Sequence, residues 1–269
     1  MRQTKAFLTT FIITFSIMLC CFAALYWVVG YTSPLSAGEG KSDVPILTPD
    51  YNDSKTTLIV MDTESADFFF ILKLNALQNK VCLVSIPSSF YLSDAQRTIS
   101  ESMQYAGILQ CVQDISTQFD ITIDYHLLCD KTSLDKLLGS FSGLDIRSLP
   151  DIPQSINSYL LKGSEYVDTA TLVNALDMSA AVLDNAVGTE FLNLAGLILI
   201  KNNMQNICDY ALDDIKECFS YLTTNIGTLD IDRLKRITGF LLNDSTIYDR
   251  IVLADTETAQ SEIDRMLKE

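Results

Sequence analysis

Three apolar runs follow one another with only short breaks: "TTLIVMD" (56–62), "FFFILKLN" (68–75) and "KVCLVSI" (80–86). Each is of strand length and rich in β-branched or aromatic residues, which suit a pleated, buried surface. Asn75 begins a turn, and few residues separate the second run from the third, so these two pair as a hairpin. Pro87 cannot continue a central ladder, so the third strand stops there. Ser88-Ser89 and two aromatics follow. In open α/β sheets ligands gather where such strands end, which makes Ser88 and Ser89 candidate ligand-facing residues.

The runs that follow alternate between helix and strand. In "RTISESMQYAGILQCVQDISTQF" (97–119), Met103, Ala106 or Gly107, Gln110 or Cys111, and Asp114 or Ile115 recur at helical spacing. "ITIDYHLLC" (121–129) alternates Ile121, Ile123, Tyr125 and Leu127 on one strand face. "SLDKLLGSFSGLDI" predicts a short helix capped by Ser133 and ended by glycine-containing turns. "FLNLAGLILI" (191–200) is too short to span a bilayer and predicts a core helix. In "LDIDRLKRITGFLL" (229–242), Ile231, Leu234, Ile237 and Leu241 form one stripe, with Thr228 as the cap. This succession predicts an α/β fold, a mixed central sheet flanked by helices in α-β-α layers.

The start of the chain has a different character. Arg2 and Lys5 precede an uncharged stretch running from Ala6 to Gly38, with Tyr26, Trp27 and Tyr31 placed as an interfacial belt. Such a stretch is long enough to cross a bilayer. It predicts a single-pass signal anchor over 1–31 with a cytoplasmic N-terminus and an extracytoplasmic main domain. The alternative is a cleaved signal peptide, cut near Ala23-Ala24 or Ser36-Ala37. Residues 32–56 contain Pro, Gly, Ser and Asp without periodicity and read as a linker. The domain is expected over 57–250, followed by a charged C-terminal tail over 251–269.

All 34 acidic residues lie beyond the anchor, against 17 lysines and arginines. That balance argues against nucleic acid, whose binding rests on neutralising phosphates. The cysteines at 82, 111, 129, 208 and 218 lack paired spacing and read as buried thiols. His126 is the only histidine, so a histidine metal cluster is excluded.

Taken together, "LIVMD…ADFFFILKLNALQNKVCLVSIPSSFYL…ISESMQYAG" resembles the opening half of the LytR-CpsA-Psr domain. That family's pattern has a strand with Gly-x-Asp-x-Arg, then Arg-Ser-Asp-Thr and a strand ending in Asn, then "VSIPRDTYV" and "K-I-N-x-A-Y-x-x-G". "DITIDYHLLCDKTSLDKLLGSFSGLDI" continues the resemblance, as does "YLTTNIG…LDIDRLKRI". It spans roughly 57–250 and is densest up to about residue 147. The resemblance implies a membrane-anchored protein of the Gram-positive cell envelope, acting on polyprenyl-pyrophosphate-linked glycopolymers. It further implies Mg²⁺ held by aspartates, arginines cradling the pyrophosphate, an apolar tunnel for the lipid, and transfer of the polymer to peptidoglycan.

Several positions depart from that pattern. Asp62 and Asp67 match the family's two aspartates and are the candidate Mg²⁺ ligands, though they also read as a turn residue and a capping residue. Between them, Glu64 and Ser65 stand where the family has arginines. Ser88-Ser89 replace its Arg-Asp, and residues 163–200 contain no Lys or Arg. Arg97 sits one place before the family's lysine position, here Thr98. The candidate ligand-binding residues are therefore Ser88, Ser89, Arg97 and Lys73, with Arg147 a further cation from which a pocket could be rebuilt. Two functions stay open: a pseudoenzyme that binds lipid, polymer or an envelope partner, and a divergent active phosphotransferase. Phe68, Phe69 and Phe70 alternate across a sheet, so at least one faces the core and another is placed to meet a lipid chain. Tyr91, Tyr105 and Tyr125 read as structural, and Asp213-Asp214 as a solvated face.

Overall fold

The computed structural model describes residues 48–62, 67–139, 143–145, 166–168, 171, 185–209, 222–254 and 256–268. The expected anchor, most of the linker, Arg147 and Asp213-Asp214 lie outside them. No helix among the described residues is long and apolar enough to cross a membrane.

A six-stranded mixed sheet, in the order β10-β3-β2-β1-β6-β9, forms the centre of the domain. Strands β1 (Ser54–Asp62), β2 (Asp67–Asn75) and β3 (Lys80–Ile86) are successive antiparallel neighbours. Strand β6 (Tyr125–Asp130) lies parallel to β1, and β10 (Ile247–Val252) parallel to β3. The two-residue strand β9 (Thr223–Thr224) completes one edge. The β2–β3 hairpin turn closes through Asn79, whose φ of 56° is one that asparagine tolerates better than most residues.

Helices cover both faces. Phe68, Phe70, Val81 and Leu83 pack with α4 (Asn185–Asp209) and α5 (Thr228–Phe240), through Phe191, Leu192, Ala195 and Ile237. Phe69, Ile71, Val84 and Ile86 point the other way, onto α1 (Ile99–Ala106), α2 (Ile108–Phe119) and α6 (Thr256–Ile263). A period of two in β2 and β3 thus splits the apolar run between two cores, and this makes the three layers. A short helix α3 (Lys131–Leu138) follows β6, and the pairs β4 (Tyr91–Leu92) with β5 (Arg97–Thr98), and β7 (Leu144–Asp145) with β8 (Tyr166–Val167), are separate two-stranded ribbons.

Local chemistry moved several boundaries. The helix expected over 97–119 is two helices, because Gly107 adopts φ 74° and ends α1 with its N–H on the Met103 carbonyl. Arg97 and Thr98 pair with Leu92 and Tyr91 instead. Thr98 caps α1 and Glu101 reaches back to its N–H, a reciprocal pair written in the sequence as Thr-x-x-Glu. Strand β6 begins at Tyr125 rather than Ile121, since Ile121 and Ile123 already pack beneath the sheet. Asp130, not Ser133, caps α3, accepting from the Ser133 N–H at 2.7 Å. Gly227, not Thr228, caps α5, held by the Asp230 carboxylate.

The two ends of the domain differ most. The chain is ordered before residue 57: Asp50 and Asp53 cap a short 3-10 turn, and buried Asp53 accepts from Arg236 on α5. The boundary expected at 250 falls inside β10, and the tail beyond it is not a solvated appendage. Leu253, Ala259, Ile263, Met266 and Leu267 are all buried in the second core, so the described part of this segment is a packed element of the domain.

Candidate functional site

The site lies at the end of the sheet where β1, β3 and β6 finish. Asp62 and Asp67 face each other across the end of the β1–β2 ladder, and Asp130 stands beside Asp62 at the end of β6. Next to them β3 stops at Pro87, and the Pro87–Phe90 turn closes through a 2.8 Å bond from the Phe90 N–H to the Pro87 carbonyl. That turn is fixed to α1, because the Ser100 N–H donates to the Ser88 carbonyl at 3.2 Å. Asp67, Phe68, Phe69, Phe70, Ile86, Ser88 and Thr189 then line a small cleft.

One ionisable group dominates this cleft. Burial pushes the Asp67 carboxyl above its ordinary range, and the Asp62 carboxylate, hydrogen-bonded to it, pushes it further. Two facing carboxyls are a donor pair that a divalent cation can take, with substrate oxygens and water completing the shell. The donor set therefore fits Mg²⁺ through Asp62 and Asp67. Asp130 is committed to its cap, and no group of three or more His, Cys, Asp or Glu that could hold a metal is present among the described residues.

The candidate cations are placed otherwise. Lys73 is six residues along β2 from Asp67, roughly 20 Å away at strand rise. It donates to the Leu267 carbonyl at the opposite end of the sheet, and burial lowers its pKa. Lys73 is thus a latch on the C-terminal helix rather than a site residue. Arg97 is nearer the cleft, but its Nε bonds Asp114 at 3.1 Å and its guanidinium lies 4.5 Å from the Tyr105 ring centre. Ser88 is half-buried on the cleft wall, whereas Ser89 is exposed and does not line it.

Two features carried no signal in the sequence. Thr189 enters the cleft wall from α4, in a stretch without any motif, and its neighbour Glu190 is paired with Arg250 of β10. All three phenylalanines of β2 also touch the cleft, while Tyr105, read as structural, is 72% exposed.

The sequence matches the profile of the LytR_cpsA_psr family over residues 37–179, just over half of the chain. The chain belongs to this family. Solved structures with this fold include the Lin1025 protein of Listeria innocua, with a TM-score of 0.61 and 15% identity, covering 80% of this chain and 98% of that one. TagT, solved bound to LIIa-WTA, aligns with a TM-score of 0.59 at 13% identity, covering 83% and 95%. TagV of B. subtilis gives 0.55 at 14% identity, covering 80% and 97%. Among curated proteins, none matches the sequence significantly. In this LytR-CpsA-Psr chain Asp62 and Asp67 stand at the sheet end, and among the described residues no Lys or Arg lines the cleft.

Proposed function

We propose that this protein is a membrane-anchored, extracytoplasmic member of the cell-wall glycopolymer machinery that binds a polyprenyl-pyrophosphate-linked glycopolymer, or an envelope partner carrying one, without transferring it. Family membership supports the broad role, and TagT, of the same fold, was solved with LIIa-WTA bound. One observation carries the pseudoenzyme reading. Among the described residues, the cleft wall presents Asp67 and Ser88 beside phenylalanines, without a lining cation. Transfer from a pyrophosphate develops negative charge, and donors aimed at that charge supply most of the rate. Each charge-assisted contact contributes about 1.5–3 kcal/mol, so losing several removes orders of magnitude.

A second reading, an active phosphotransferase, is favoured by the Asp62–Asp67 pair. These residues would hold Mg²⁺, which supplies charge neutralisation to the pyrophosphate when bound. Full-length protein in detergent, supplied with a polyprenyl-pyrophosphate-linked glycan and peptidoglycan, with and without Mg²⁺, separates the two. The first reading predicts saturable binding and no transfer. Transfer that disappears in Asp67→Ala establishes the second.

A further inference from the structure

The corner of the domain beside the cleft carries an exposed aromatic residue held in an unusually fixed position. Tyr105, on the last turn of α1, is 72% exposed. One face of its ring lies 4.5 Å from the Arg97 guanidinium. Arg97 is locked in turn: its Nε donates to Asp114, a buried carboxylate that also accepts from Ser102 Oγ at 2.7 Å and Gln110 Nε2 at 2.7 Å. A solvent-exposed tyrosine ordinarily samples several rotamers, and here stacking on a fixed cation restricts it. The restriction serves no packing purpose, since the other face of the ring is open to solvent.

Position ties this corner to the cleft. The first turn of α1 is bonded to Ser88 through Ser100, and Tyr105 lies five residues further along the helix, about 7.5 Å. Its charge balance selects the ligand. Asp114 neutralises Arg97, so the ledge offers a flat apolar face without net positive charge, on a protein whose acidic residues outnumber its basic ones by 34 to 19. Such a surface disfavours a polyanion. A neutral sugar ring fits it, with its C–H face on the open face of the tyrosine.

We propose that Tyr105, seated on Arg97, is a sugar-stacking platform that receives a neutral ring of the glycan beyond the pyrophosphate end held at the Asp67–Ser88 cleft. The platform rests on the glycopolymer reading above, and its test keeps the two separable. Full-length protein in detergent is titrated calorimetrically with triacetylchitotriose, with oligo(glycerol phosphate), and with polyprenyl pyrophosphate carrying no sugar. The trisaccharide binds, Tyr105→Ala weakens it about tenfold, and Tyr105→Phe stays within about twofold. Tyr105→Ala leaves the sugar-free lipid unaffected; because the ring is exposed, the variant folds. Unchanged trisaccharide affinity in Tyr105→Ala overturns the platform, as does tighter binding of oligo(glycerol phosphate) than of the trisaccharide. A loss of lipid affinity in that variant overturns it too, by making the ledge a lipid contact. Lipid binding without any trisaccharide binding overturns the platform and leaves the function standing. Tyr105-dependent trisaccharide binding without lipid binding supports the platform and overturns the cleft as the pyrophosphate site.

Discussion

Replacing Ser88 by arginine puts a guanidinium onto the cleft wall where, among the described residues, Asp67 is the one ionisable lining group. Ser88 is half-buried beside exposed Ser89, so the longer side chain has room to leave the turn without displacing the core. A forked contact to a pyrophosphate is worth about 1.5–3 kcal/mol, or roughly 10- to 150-fold in affinity. Part of that gain is lost, because in the free protein the new cation pairs with Asp67. The net expectation is about a tenfold tighter dissociation constant for polyprenyl pyrophosphate. Two measurements on the same sample are needed. Calorimetric titration reads the affinity, and a carbon-detected NMR titration reads Asp67, whose pKa falls once the guanidinium is seated. A lowered Asp67 pKa with unchanged affinity refutes the reasoning, since the cation would then be in place beside a cleft that takes no pyrophosphate.

Four further perturbations probe other parts of the account. Because burial and Asp62 raise the Asp67 pKa in the folded chain, folding favours its protonated form. That contribution is complete below the unfolded pKa and is lost as pH rises through the folded one. Asp67→Asn is therefore more heat-stable than the parent at neutral pH, with the difference vanishing in acid. Asp62→Asn lowers the Asp67 pKa without restoring it, because burial is the larger cause; a raised or unchanged value contradicts this. Arg236→Met strands Asp53, whose side chain is 2% exposed, and costs about 3 kcal/mol in chemical denaturation; a loss within experimental error would show that the pair contributes nothing. Truncation after Ala254 removes buried Ala259, Ile263, Met266 and Leu267. At roughly 1.5–3 kcal/mol for each large side chain, this approaches the whole stability of a domain, so the product fails to give a cooperative melt. An unchanged melting temperature would return the segment to the status of a tail.

The central strands were legible because period-two apolar runs bounded by Asn75 and Pro87 leave few alternatives. The helix break at Gly107 was less so: its spacing fits one helix as well as two, and only the positive φ decides. The C-terminal segment reads as a charged, weak helix; its packing is hidden in the sequence, because Ile263, Met266 and Leu267 acquire meaning only once β10 carries them over the second core. At the site, Asp62, Asp67 and Ser88 were readable as strand-end residues. Lys73 was not excludable from sequence, because its distance from Asp67 along β2 matters only when the strand is known to run straight away from the cleft. Thr189 arrives from a helix more than a hundred residues later, and no local pattern announces it. Tyr105 reads as structural, and its exposure is visible only in the fold.

The most direct measurement is a paired assay on the full-length protein with a polyprenyl-pyrophosphate-linked glycan and Mg²⁺, recording binding and transfer to peptidoglycan together. The account predicts saturable binding, weakened by Asp67→Ala, with no transferred polymer. Transfer by the parent protein that is abolished in Asp67→Ala would contradict it.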